Sequence, residues 1–161
     1  MSWCDCDRWE GLVDLECGGQ AGLLVTPCNP EATRQPQPFQ CEAMSFHLTR
    51  GRDVAHAVLT ALLPHYRELR PRYLDFLGTE ADALMPDVHS PEELRSLIDL
   101  RAVRIHPWSK DGIGYVGLQF GCTWDVEHGL GLMMHLDRVV DIGGADVSFA
   151  WEPDEADTAT P

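Results

Sequence analysis

Residues 113–146 read IGYVGLQFGCTWDVEHGLGLMMHLDRVVDIGGAD and hold seven of the chain's 14 glycines. From Val116 the apolar side chains fall on every second position: Val116, Leu118, Phe120, Cys122 and Trp124. A period of two puts them on one face of a strand, with Tyr115, Gly117, Gln119, Gly121 and Thr123 on the other. Two glycines on that second face predict a close approach by a helix or a neighbouring backbone. Leu130, Leu132, Met134 and Leu136 repeat the pattern, and Val139, Val140 and Ile142 form a third short strand entered through Leu136-Asp137-Arg138. Connections this short make neighbouring strands antiparallel, because a parallel crossover needs a dozen or more residues. The stretch is a meander.

The rest of the chain reads as a scaffold for it. Residues 9–16 and 21–26 alternate as two strands, with Gly18-Gly19 as the turn between them. Residues 27–38 carry four prolines and make a loop. Residues 42–48 fit either a third strand or the start of a helix. From Asp53 the period becomes helical, with Val54, Val58, Ala61 and Leu62 on one face. Pro64 ends or kinks that helix. Tyr66, Leu69, Tyr73, Phe76 and Leu77 then continue a helical face, interrupted by Pro71, so the region is two helices or one broken helix. Thr79 to His89 is polar and reads as a loop. Ser90-Pro91-Glu92-Glu93-Leu94 has the form of a capping box and starts a short helix to about Ile98. Leu100 to Pro107 alternates as a strand, and Asp111-Gly112 turns it into the 113–124 strand. The expected fold class is α+β: an antiparallel sheet, the C-terminal meander plus N-terminal strands, packed against two or three helices. Residues 1–151 form one domain, and 152–161 form an acidic disordered tail.

The chain has 26 acids against 12 bases, a formal charge of −14. Eleven of the bases are arginine, and from residue 113 onward nine acids face Arg138 alone. Such a field repels nucleic acid and anionic membranes and favours a basic protein partner, although acidity also serves solubility alone. The start MSWCDCDRWEG lacks the apolar core of a signal peptide. No run of about 18 apolar residues predicts a membrane span. The cysteines at 4, 6, 17, 28, 41 and 122 are therefore expected to be reduced, in a cytoplasmic protein.

Three constellations bear on chemistry. Asp125, Glu127 and His128, flanked by Trp124 and Gly129, put two carboxylates and an imidazole within four residues. They suit a divalent metal or acid–base work, with His106, His135, Asp137 and Asp146 as further candidates. The spacing matches neither HExxH nor a calcium loop. The structural alternative is that the acids accept backbone N–H groups within a turn and that His128 packs or caps beside Gly129. The cysteines offer one close pair, Cys4-Asp-Cys6, with one residue between, unlike a zinc framework, and Cys122 belongs to an apolar strand face. No nucleophile elbow or phosphate loop is present. Arg67, Arg70 and Arg72 form a basic group expected to pair with the protein's own acids. Trp3, Trp9, Trp108, Trp124 and Trp151 are candidates for partner contacts or for the core.

The segment from Phe120 to Phe149 resembles a family of uncharacterised bacterial domains. The likeness rests on Phe120, on the turn Trp124-Asp125-x-Glu127-His128-Gly129-x-Gly131, and on Val139, Gly143 and Asp146. It covers roughly residues 50–151 and leaves the cysteine-bearing N-terminus outside. The resemblance implies no established activity, cofactor or metal. Some relatives look like small immunity or accessory proteins of bacterial toxin systems. The expected function is therefore a non-enzymatic cytoplasmic protein-binding domain, with an immunity-like protein against a basic toxin as its concrete form. Its expected binding residues are Trp124, Asp125, Glu127, His128, Asp137 and Asp141, with Trp124 or Trp108 as the apolar anchor. The alternative is a small metal-dependent hydrolase built on the Asp125/Glu127/His128 turn.

Overall fold

A computed structural model of the protein describes residues 1–4, 7–16, 19–29, 31, 34–150 and 152. The tail expected at 152–161 and Trp151 lie almost wholly outside the described residues, as do Cys6 and Cys17. Seven strands run β1 (Ser2–Cys4), β2 (Arg8–Leu15), β3 (Gly19–Val25), β4 (Ile98–Lys110), β5 (Ile113–Cys122), β6 (Leu130–His135) and β7 (Arg138–Gly143). They form one sheet whose spatial order is the sequence order. Every neighbouring pair is antiparallel except β3 and β4, which are parallel. That exception follows from the helices between them, since only a long crossover returns the chain in the same direction. The fold is α+β, as the alternation and helical periods imply.

The meander is antiparallel as expected, with Phe120 opposite Leu130, Leu118 opposite Leu132 and Val116 opposite Met134. Asp111 and Gly112 both take positive φ, 52° and 76°, as a tight hairpin between β4 and β5 requires. The short edge strand β1 was not foreseen, because three residues are too few to show a period.

Helix α1 spans Pro38–Thr49, so residues 42–48 are helix and not strand. Pro38 opens it, and the Gln37 N–H donates to Gln40 Oε1 at 2.9 Å. Helix α2 is continuous over Gly51–Leu77 and contains both Pro64 and Pro71. Both prolines are exposed, so the carbonyls they leave without a helical donor can turn to water. The polar segment after α2 is not a plain loop: a 3₁₀ turn at Gly78–Glu80 leads into a one-turn helix α3, Ala81–Leu84. The helix expected from Ser90 is a 3₁₀ segment, Pro91–Ser96, where Ser90 Oγ donates to Glu93 Oε1 at 2.8 Å.

The core lies between the helices and one sheet face. Val54, Val58, Leu62 and Tyr66 of α2 meet Val103, Val116, Leu118, Phe120 and Leu132 of the central strands, all buried. Gln40 is buried too and ties α1 to the sheet, donating to Thr26 O (2.7 Å) and His106 O (3.0 Å). On the opposite face a 3₁₀ turn at Ala145–Ser148 lies directly on the glycines of β5 and β6. A Cβ at Gly117 would stand 2.0 Å from Ser148 O, and one at Gly131 would stand 2.4 Å from Gly144 O. At Gly117 this is the close approach that the alternation predicted; at Gly121 the neighbour is the Arg101 side chain, 3.0 Å from where a Cβ would stand.

Cys4 is disulfide-bonded, which corrects the expectation of six reduced thiols. Among the described residues Cys28, Cys41 and Cys122 are free. Cysteine usage therefore no longer argues for a reducing compartment. No helix among the described residues is long and apolar enough to cross a membrane.

Candidate functional site

The turn between β5 and β6 is built around one carboxylate. Asp125 Oδ1 accepts the backbone N–H of His128 at 3.0 Å and lies 3.0 Å from His128 Nδ1. A carboxylate can only accept, so His128 Nδ1 carries a proton and donates it to Asp125. The other oxygen, Oδ2, accepts the Tyr73 hydroxyl at 2.8 Å. Partial burial alone would raise the Asp125 carboxyl. The bonds from the His128 N–H, Tyr73 and the His128 ring outweigh it and hold the group below the ordinary Asp range. Burial, reinforced by the Asp125 carboxylate, pushes the Tyr73 phenol up to about 12, so it stays a donor.

Backbone contacts complete the turn. Gly129 N–H donates to Asp125 O at 2.9 Å, and Gly129 takes φ +67° with Phe120 O only 2.7 Å from where a Cβ would stand. Thr123 Oγ1 donates to Leu84 O at 2.6 Å, anchoring the turn to α3. Cys122 donates its thiol to Asp125 O at 3.4 Å, and burial pushes that thiol up to about 11. It is a packing residue with no thiolate character.

Of the expected binding residues, the structure brings Asp125 and His128 into contact and leaves Glu127 exposed beside them. Trp124 is 4% exposed and packs edge-on against Tyr66, ring centroids 5.0 Å apart. The anchor role expected of Trp124 is therefore overturned, because it is already spent on the core. Trp108, the other anchor considered, is 38% exposed. Asp137 sits in the β6–β7 hairpin, at the far end of the six-residue β6, roughly 20 Å along the strand. Asp141 lies midway along β7, opposite Met133, and its Oδ1 accepts the Ile142 N–H at 2.8 Å. The acids are thus divided among the β5–β6 turn, the β6–β7 hairpin and β7, and do not form one patch.

The added histidines do not join the turn. His106 Nε2 donates to Ser148 O and His135 Nε2 to Lys110 O, each at 3.0 Å. Among the described residues no three of His, Cys, Asp and Glu gather as metal ligands would. Cys4, being disulfide-bonded, also leaves the thiolate set considered for zinc. The arginines of α2 behave partly as expected. Arg70 pairs with Asp82 at 3.5 Å, but Arg67 donates to the carbonyls of Val88 and His89.

Two open clefts flank the turn and share Val126, Glu127 and His128 as a common wall. The first, of about 590 Å³, lies against the last turns of α2 and has Phe76, Leu77, Leu84 and Trp124 in its lining. The second, of about 570 Å³, lies against β4 and is more polar, with Asp99, Arg101 and Gln119. In the wall of the first cleft Phe76 and Val126 are each 84% exposed. Phe76 corrects the expected helix face, because it is exposed while Tyr73 of the same helix turns to Asp125. Tyr73 and Phe76 are the site residues the motif did not reveal. The Tyr73–Asp125 bond spans 52 positions, and no local spacing signals it.

Residues 8–149 match the family described as Domain of unknown function (DUF6985). The chain belongs to that family. The match begins at β2, so β2 and β3 lie within it, β1 lies outside it, and the resemblance extends well upstream of residue 50. No curated protein and no solved structure matches the chain.

Proposed function

We propose that this member of the DUF6985 family is a non-enzymatic binding protein for a basic protein partner, engaged through the Thr123–Gly129 turn. One observation carries the reading. Asp125 collects three hydrogen bonds, from two parts of His128 and from Tyr73, and so fixes a turn whose tip, Val126, Glu127 and His128, stands in solvent. A tip held this way loses little conformational freedom on association, which favours binding. The formal charge of −14 concentrates basic partners near it. An immunity-like inhibitor that covers the active site of a basic toxin is the concrete form of this function, in a cytoplasmic setting.

The metal-dependent alternative loses support from the bonding of its candidate ligands. His106 and His135 each spend a ring nitrogen on a carbonyl away from the turn. The test is affinity capture with the intact protein, identification of what binds, and calorimetry with the purified partner at about 0.05 and 0.5 M salt. A basic partner, an affinity about tenfold weaker at the higher salt, and weakening by Glu127→Lys are expected. A neutral or acidic partner, or an affinity indifferent to salt and to Glu127→Lys, would contradict the reading.

A further inference from the structure

We propose that the cleft between the last turns of α2 and the Trp124–Gly129 turn receives a partner segment of defined chemistry. In that segment a bulky apolar side chain is followed closely by an arginine or lysine. The inference rests on the binding function above and names what the site binds.

The cleft's volume of about 590 Å³ falls in the range of specific binding sites, roughly 300–1,000 Å³. Leu77 and Trp124 supply an apolar floor. Phe76 and Val126 line its walls yet are each 84% exposed, so a small molecule resting on the floor would leave much of both in water. Something that extends past the rims covers them, and that requires a macromolecular surface.

The charges around the cleft select the segment. Asp125 is ionised, but its oxygens are already engaged by Tyr73 and His128. Glu127, on the turn side, makes no hydrogen bond or ion pair with the described residues, so it is the carboxylate left to receive a cation. Arg72 lines the helix side and repels a cation placed there. The basic residue therefore sits at the turn and the apolar one between Phe76 and Val126, which fixes the direction of the bound segment. The excess of acid over base in the whole chain favours the same sign of partner.

The experiment is an NMR titration of the full-length ¹⁵N-labelled protein with three short synthetic peptides. One alternates leucine with arginine, one alternates leucine with glutamate, and one carries the same arginines among glycine and serine. The leucine–arginine peptide is expected to shift the amides of residues 72–77 and 123–129 and to bind about tenfold more tightly than either of the others. Phe76→Ser weakens it about tenfold, and Glu127→Arg reverses the preference toward the leucine–glutamate peptide. Both side chains are exposed, so retained sheet resonances will show that the variants fold. Leucine–arginine binding that maps elsewhere, for instance near Asp137 and Asp141, and ignores Phe76→Ser would overturn the cleft while sparing the basic-partner reading. Equal affinity for the glycine–arginine peptide would overturn the apolar half of the proposal. Binding of neither arginine peptide would overturn the cleft proposal, while the capture and calorimetry experiment decides the basic-partner reading by itself.

Discussion

At the scale of the residue, Asp125 decides whether the turn is a fixed surface or a loose loop. Three donors converge on it, and each removal has its own signature. Tyr73→Phe takes away the bond to Oδ2 and leaves the packing of the ring. It should lower stability by about 1 kcal/mol in urea denaturation, because hydrogen bonds to charged groups contribute about 1.5–3 kcal/mol and this one is only partly buried. The Asp125 carboxyl should then titrate higher, visible in its side-chain carbon shift. His128→Ala removes one donor but spares the backbone N–H bond, so its effect should be smaller than that of Asp125→Ala, which strands all three. Equal effects of the two would mean that the imidazole, and not the carboxylate, organises the turn. Gly117→Ala is a different case. Its methyl would collide with Ser148 O, and backbone cannot give way as a flexible side chain does. A loss of about 2 kcal/mol or more is expected, with the Ala145–Ser148 turn displaced, and thermal denaturation with NMR of that turn would check both.

At the scale of the element, the meander was readable because its alternation is long and one face is buried throughout. The antiparallel meander and the close approach over Gly117 follow from that alone, whereas the approach over Gly131 was not foreseen. The helices were harder. Helix α1 starts on Gln37 and Gln40, not on the Ser, Thr, Asp or Asn that usually marks a start, so its sequence admitted a strand. Pro64 and Pro71 read as breaks, yet α2 passes through both, because packing of Val58, Leu62 and Tyr66 on the sheet overrides local propensity. Pro64→Ala should therefore stabilise the protein by about 1–3 kcal/mol, measured by denaturation, since the helical bond it restores no longer opposes a fold already formed. The site was half legible. Asp125 and His128 share a turn and could be paired by sequence distance, but Tyr73 comes from α2 and Trp124 turns inward onto Tyr66. Neither fact has a local signature. Asp141, whose charge suggested binding, accepts the Ile142 N–H beside it on the outer strand.

At the scale of the whole molecule, pH and partner binding are the levers. His47 and His106 are buried, and that burial depresses both, outweighing the carbonyl bonds each makes to Ala43 and Ser148. The unfolded chain takes up these protons near pH 6.5, whereas the folded protein takes them up only at lower pH. The unfolded state thus binds more protons below about 6.5, and stability falls as pH drops through that window until the folded values are reached. Chemical denaturation at about pH 7.5 and pH 5.5 should show the loss, and His47→Gln should flatten it. Stability that rises on acidification would contradict this ordering. The account as a whole turns on a rigid tip that is ready to bind before any partner arrives. Hydrogen–deuterium exchange of the full chain, alone and with the leucine–arginine peptide, tests it most directly. The His128 and Gly129 amides should already be protected in the free protein, and the peptide should slow exchange there and along residues 72–77. Fast exchange of both amides in the free protein, or protection by the peptide at some other surface, would contradict it.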